Sequence, residues 1–589
     1  MADSKQLPAQ CGNPTAYCYR IKSGDACTGV MRLTASLQYT ETRHRFAQKA
    51  FRPALFAGLL LLAAYLRVAG LTWGLHSGYG HELNFQPDEF VSLRGVLQLD
   101  LLAGHIKAPG AYFEGTFNYY LWAVLQAMLK PGANKNAGLG DSINTEGLSN
   151  LLYISRWMSV VVDLCTIVIV FLAIKEATRR FYPSFLGALC YAVLPMQVIY
   201  AHFMRTHILS NLLCGLVVWS SLKLRKSQSW QLLFLVGLLS GLGAATRYPV
   251  GIIAVIPCLY LLVDGGDDVR SCRFRFSERA RNFVARQIWL IALGFGIGLF
   301  LGHPMLFLDT ASVTKAITAE TLKYASLHEF SGHQLVSLSV LWRYVTYVIP
   351  FAMYPMLWLA PYCAILYLLF RRSLYSLSVP ILIFSFLYLY FMGKGYMGPY
   401  FARVTMLLFP GFCVLVGIVC SDLQLTLRNK RTTAVALTGA FLLVMVPSII
   451  FDLAYDRAMQ QTDAREVLRK DLQSFIGEAP ARIGILHWGP YFYTAMPTAN
   501  PLKSKKVVVQ LQDAGEDADY FLVGLPTQIG PAQISAIVRQ IEAQGKFKYA
   551  KSYRVPVRIF GHEFSLTRFP QDMTYPFPLI LLFRARTPT

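Results

Sequence analysis

The sequence predicts an all-α polytopic membrane protein of about eleven transmembrane helices, followed by a small C-terminal α/β domain. Three observations carry this. Of 589 residues, 54% are hydrophobic and only 15% charged. Apolar runs long enough to cross a bilayer recur along the chain. The cations gather in short loops between those runs. Lys+Arg 55 against Asp+Glu 33 gives a formal charge of +22, which in a soluble protein would raise nucleic acid. Here the loop positions suit helix orientation against an anionic inner leaflet, so no nucleic-acid partner is expected.

Residues 1–52 read as a cytoplasmic, largely disordered tail without a cleavable leader pattern. It holds Cys11, Cys18 and Cys27 and reaches the membrane at Arg43, Arg45, Lys49 and Arg52. The tail cysteines lack a zinc-like CxxC spacing. No cysteine falls in the segments assigned to the outer face, so no disulfide is expected there.

The first span is expected near 53–73, with Arg67 close to its end. In the loop 74–148, Phe90, Leu93, Leu97 and Leu101 predict an amphipathic helix over Glu89–Gly104, lying in the membrane interface. Further apolar runs at 149–174, 206–222, 249–263, 344–370 and 403–421 each lead into a basic loop. Those loops share one side only if 116–130 does not cross. That segment is therefore expected to be a second surface helix.

This topology puts 74–148, His202–His207, Arg247-Tyr248, His303–Tyr344, Gly393–Arg403 and residues 452–589 on the non-cytoplasmic side, opposite the basic loops. Ten of the 11 histidines fall there. The transmembrane domain is expected over 53–451. In the C-terminal domain, 463–476 and Pro531–Gln544 read as helices. Ile483–His487, Lys506–Leu511 and Asp519–Val523 read as strands. No phosphate-binding glycine loop or metal-ligand run is present, and a lid or docking platform is the simplest role.

The chemical centre is expected at Asn84-Phe85-Gln86-Pro87-Asp88-Glu89-Phe90. A carboxylate pair here sits at the mouth of the first apolar run. Asp88 suits a general base, with Glu89 orienting it or binding substrate. Asp88 could alternatively cap the helix that follows. Arg247, just outside an apolar run, suits a phosphate at headgroup depth, or lipid anchoring. Arg403 and Lys394 are further phosphate-binding candidates. Tyr119, Tyr120, His202, Tyr248, His303 and His333 are substrate-binding candidates. Against these stand an interfacial aromatic belt for the tyrosines and helix capping for the histidines.

Taken in order, one set of motifs resembles the class C, lipid-phosphosugar-dependent glycosyltransferases (GT-C). The set comprises Leu66-Arg67, Pro87-Asp88-Glu89, Phe117-Asn118-Tyr119-Tyr120, Arg156, Ala201-His202-Phe203, Ala245-Thr246-Arg247-Tyr248-Pro249, Gly302-His303-Pro304, Gly332-His333 and Arg403. The resemblance is nearest to bacterial relatives of the protein O-mannosyltransferases and the aminoarabinose transferase of lipid A. It implies a helix bundle with its site on the outer face of a bacterial inner membrane. It also implies transfer of a sugar from a polyprenyl-phosphate donor to a glycan, lipid or protein acceptor. Many relatives carry an Asp where His207 stands here. That departure counts against a two-carboxylate metal site, although a divalent metal stays open. The rival reading is a transporter or lipid flippase without transferase activity, which would call for repeats and mid-membrane ionisable groups on broken helices.

Overall fold

The computed structural model describes residues 51–75, 86–129, 145–262, 287–331, 338–395, 400–427, 431–476, 480–486, 507–511, 518–525 and 529–586. The chain divides into two units, 1–58 and 59–589. Of the first unit only 51–58, the start of an apolar helix, is described.

Among the described residues, six helices are long and apolar enough to cross a membrane, or seven if the bent pair Phe181–Ala192 and Pro195–Ala201 is one span. Four shorter apolar helices accompany them: Trp230–Thr246, Tyr248–Leu262, Ile288–Gly302 and Leu359–Phe370. The chain is an integral membrane protein by these helices. The segment read as a surface helix forms Phe117–Leu129, of 13 residues. At 1.5 Å per residue that is about 20 Å, short of the roughly 30 Å hydrocarbon core. The amphipathic helix expected over Glu89–Gly104 runs instead from Pro87 to Leu97.

Helices Trp230–Thr246 and Ile288–Gly302 touch at backbone distance because each carries a G-x-x-x-G. A Cβ at Gly237 would lie 2.1 Å from the Ile291 carbonyl, and one at Gly241 2.1 Å from that of Phe295. Reciprocally, Gly294 and Gly298 face the carbonyls of Phe234 and Leu238 at 2.3 and 2.2 Å. Small residues are how helices approach closely in lipid, where the hydrophobic effect between them is weak. The matched register makes the two helices parallel. Their C-terminal ends, Arg247 and His303, therefore emerge at one end of the bundle.

The C-terminal domain has a five-stranded mixed sheet in the order β2-β1-β3-β7-β4. These are β1 Ala481–Leu486, β2 Val507–Leu511, β3 Tyr520–Leu525, β4 Phe547–Tyr553 and β7 Leu579–Ala585; β5 Arg558–Ile559 and β6 His562–Glu563 form a separate hairpin. Helices Ala464–Ile476 and Pro531–Ala543 complete it. The sequence missed β7, which is buried inside the sheet, and β4, which forms one edge. The domain meets the spans through rings: Phe569 lies 4.7 Å from Tyr354, 5.0 Å from Phe351 and 5.5 Å from Phe451.

Candidate functional site

The helix that carries the acidic pair starts at Pro87, whose missing N–H suits a first helical position. Gln86 is the cap: its side-chain oxygen accepts the Glu89 N–H at 2.7 Å. The capping alternative for Asp88 does not hold, because Asp88 lies inside the first turn.

The two carboxylates part company there. Glu89 is buried and gripped from both sides by Arg156, whose Nε donates to Oε1 at 2.9 Å and Nη2 to Oε2 at 2.6 Å. Glu89 also accepts the Met204 N–H at 2.8 Å. Arg156 spends its remaining nitrogen on the Leu71 and Trp73 carbonyls. This closed fork ties the 87–97 helix to the chain just after the first span.

Asp88 instead keeps a 23% exposed side chain and pairs with Arg403. Arg205 approaches the same Oδ2 at 4.0 Å and donates to the Asp88 backbone carbonyl at 2.8 Å. Its other nitrogen donates to Glu114 Oε1 at 3.1 Å. Tyr119 donates to Glu114 Oε2 at 3.2 Å. Burial, then the Glu114 charge, holds the Tyr119 hydroxyl well above the usual phenol range. Arg205 and Glu114 were not singled out from sequence. Each is one charge in a mixed segment, and only the fold pairs them.

Arg247 is 7% exposed. Among the described residues no carboxylate or hydrogen-bond acceptor pairs with its guanidinium. His207 lies within electrostatic reach of Arg247, Arg205 and Arg403, and both its ring nitrogens are buried without a hydrogen-bond partner among the described residues. Its ring meets Tyr200 edge-on at 5.4 Å. Two arginines, Arg403 and Arg205, thus meet the Asp88 carboxylate, and His207 lies within reach of both and of Arg247, a cationic grouping that suits an anionic ligand.

The other candidates form the frame. His202 directs its two ring nitrogens at the carbonyls of Val198 and Ala69, 2.8 and 2.7 Å away. His303 sits between the Thr116 and Tyr248 hydroxyls at 3.0 and 2.8 Å. Tyr248 also lies 2.6 Å from the Tyr112 carbonyl, and Tyr120 donates to that of Ile106. Gly115, at φ 130, lets the 111–116 turn lie on this frame: a Cβ there would be 2.4 Å from the Ala245 carbonyl. Lys394 falls on helix Tyr375–Gly395, but its side chain lies outside the described residues, as does the whole of His333.

Among the described residues, no three His, Cys, Asp or Glu side chains converge as ligands for a metal ion. The nearby carboxylates of Asp88 and Glu114 face arginines. The donor set of the described residues does not fit a divalent cation.

Residues 150–274 match the family model described as dolichyl-phosphate-mannose-protein mannosyltransferase. No curated protein matches the chain significantly. Solved structures similar to it include the Archaeoglobus fulgidus oligosaccharyltransferase in complex with zinc and sulfate, at TM-score 0.44 and 13% identity, covering 82% of this chain and 69% of that one. AglB from the same organism, in complex with an inhibitory peptide and a dolichol-phosphate, aligns at 0.45 and 11%, covering 90% and 77%. ArnT from Cupriavidus metallidurans bound to undecaprenyl phosphate aligns at 0.41 and 12%, covering 90% and 97%. The family match spans Arg156, His202, Arg205, His207 and Arg247, and over that stretch the chain is similar to the dolichyl-phosphate-mannose-protein mannosyltransferases.

Proposed function

We propose that the protein is a membrane glycosyltransferase that moves one sugar from a polyprenyl-phosphate donor to an acceptor hydroxyl or amine at the non-cytoplasmic face. The observation that carries this reading is Arg247. A nearly buried guanidinium without an anionic partner among the described residues, linked through His207 to the arginine that pairs with Asp88, is built to receive an anion from outside the protein. The matched family is described by a dolichyl-phosphate-sugar donor, whose single phosphate is such an anion.

In this reading the acceptor attacks the sugar C1. The C1–O bond to phosphate breaks, and the electron pair leaves on the phosphate. Arg247 and Arg403 stabilise the charge that gathers there. Asp88 receives the acceptor proton. Phosphate is a good leaving group, so a second carboxyl acid is not required, in contrast to glycoside hydrolysis. Glu89, held by Arg156, positions the Asp88 helix and takes no proton.

The test uses full-length protein in lipid nanodiscs with radiolabelled polyprenyl-phosphate sugars. Asp88→Asn is expected to lower transfer by about a hundredfold or more, the scale of a lost general base. Arg247→Ala is expected to weaken donor binding about tenfold or more, as for a lost charge-assisted contact. Near-full transfer by the Asp88→Asn protein, or equal donor affinity after Arg247→Ala, rejects the corresponding role. Lipid movement across the bilayer with the sugar bond intact would favour the transporter reading instead.

A further inference from the structure

The C-terminal domain reaches the candidate site through the short segment 570–575. Its Asp572 is fully buried. The Oδ1 atom accepts the Ala402 N–H at 2.9 Å, and Oδ2 accepts the Arg403 N–H at 2.8 Å. The Tyr200 hydroxyl lies 3.4 Å from Oδ2.

Those two amides open the 3-10 turn Ala402–Leu408, whose own cap residue, Phe401, provides no side-chain bond. The first N–H groups of a helical turn need partners, and a carboxylate is the best of them. Here the cap comes from a different domain, about 170 positions further along the chain. It holds the backbone of Arg403, whose guanidinium packs over the Phe401 ring at 3.9 Å and pairs with Asp88.

The segment is itself anchored. Tyr455, on the last long helix, donates to the Met573 carbonyl at 2.9 Å, and the Phe569 ring cluster lies immediately before it. Tyr575 lies among Arg403, Asp88, Asp572 and Tyr200. Burial pushes the Asp572 carboxyl up, while Arg403 and the two amides pull it back toward the ionised form.

We propose that the C-terminal domain completes the site, with Asp572 as the positioning residue that caps the 402–408 turn and thereby aims Arg403 at Asp88 and at the donor phosphate. This rests on the donor reading above. It makes the domain a working part of the site rather than a lid or platform.

Asp572→Asn tests it in the full-length protein in nanodiscs, with undecaprenyl phosphate as the probe. An amide can accept only one of the two N–H groups and opposes the other with its own donors. The dissociation constant is expected to rise about tenfold, the scale of a lost helix cap. Hydrogen exchange at the 402 and 403 amides should quicken. In an Arg403→Ala background, Asp572→Asn should add nothing. Asp572→Glu should recover part of the affinity. Should Asp572→Asn fail to fold, Tyr455→Phe loosens the same segment by one hydrogen bond and is expected to weaken binding about threefold.

Unchanged affinity in a folded Asp572→Asn protein overturns the proposal. So does an equal loss with and without Arg403, which would mark a general effect on stability. If Arg403→Ala itself binds the probe as the wild type does, the donor reading is what fails. Amide exchange at 402 and 403 then still reports whether Asp572 is the cap.

Discussion

At the scale of single residues, Asp88 and Glu89 are neighbours in sequence with different surroundings. Adjacent positions on a helix point apart, so one side chain enters the Arg156 fork and the other the arginine cluster. Glu89→Gln is therefore expected to act on stability. Leaving Arg156 buried against a neutral amide costs about 3–5 kcal/mol, read as a drop in thermal midpoint. Asp88→Asn should lower that midpoint less, because the Asp88 side chain is 23% exposed and its carboxylate is reached by solvent. A stable but inactive Glu89→Gln protein would return Glu89 to the chemistry. His303 offers a pH test. Burial lowers its pKa to about 4, below the ordinary value near 6.5. The unfolded chain then takes up a proton that the native state refuses, so stability is full above about pH 6.5 and declines as pH falls toward 4. His303→Gln should flatten that decline in a melting series from pH 7.5 to 4.5; an unchanged slope would mean that another group is responsible.

At the scale of elements, the paired G-x-x-x-G helices set where Arg247 and His303 emerge. A methyl group at Gly298 would stand 2.2 Å from the Leu238 carbonyl, whereas Gly296, two positions away, has nothing within 4 Å. Gly298→Ala should cost about 1–3 kcal/mol through forced separation of the helices. Gly296→Ala should be neutral or slightly stabilising, since alanine narrows the unfolded ensemble. Equal effects on the melting temperature would show that the close contact is not what holds the pair. The glycine spacing is visible in the sequence. Which helix answers which is not, because the two are separated by another apolar helix and a basic loop.

At the scale of the whole molecule, the basic loops carry the proposal that the Asp88 loop and the C-terminal domain lie on the non-cytoplasmic side. Single cysteines introduced near positions 140 and 500 should label in intact cells with a membrane-impermeant maleimide. Labelling only after permeabilisation would place the C-terminal domain and the Asp88 loop on the cytoplasmic side. The proposed cap by Asp572 needs both on the same side, so split labelling would contradict it as well.

The sequence by itself determined the membrane class, the positions of most apolar helices, and the helices and first strands of the C-terminal domain. Periodicity and long apolar runs report local burial, and these elements are decided locally. It also pointed to Asp88, Arg247 and Arg403 through short motifs, each a charge beside an apolar run. Only the tertiary structure decided which charges meet: Arg156 closes on Glu89, 67 residues away, and Asp572 caps a turn 169 residues before it. A buried charge is tolerated only when a partner with the right geometry reaches it. No local pattern records that partner, because it arrives from another part of the chain when the bundle and the C-terminal domain pack.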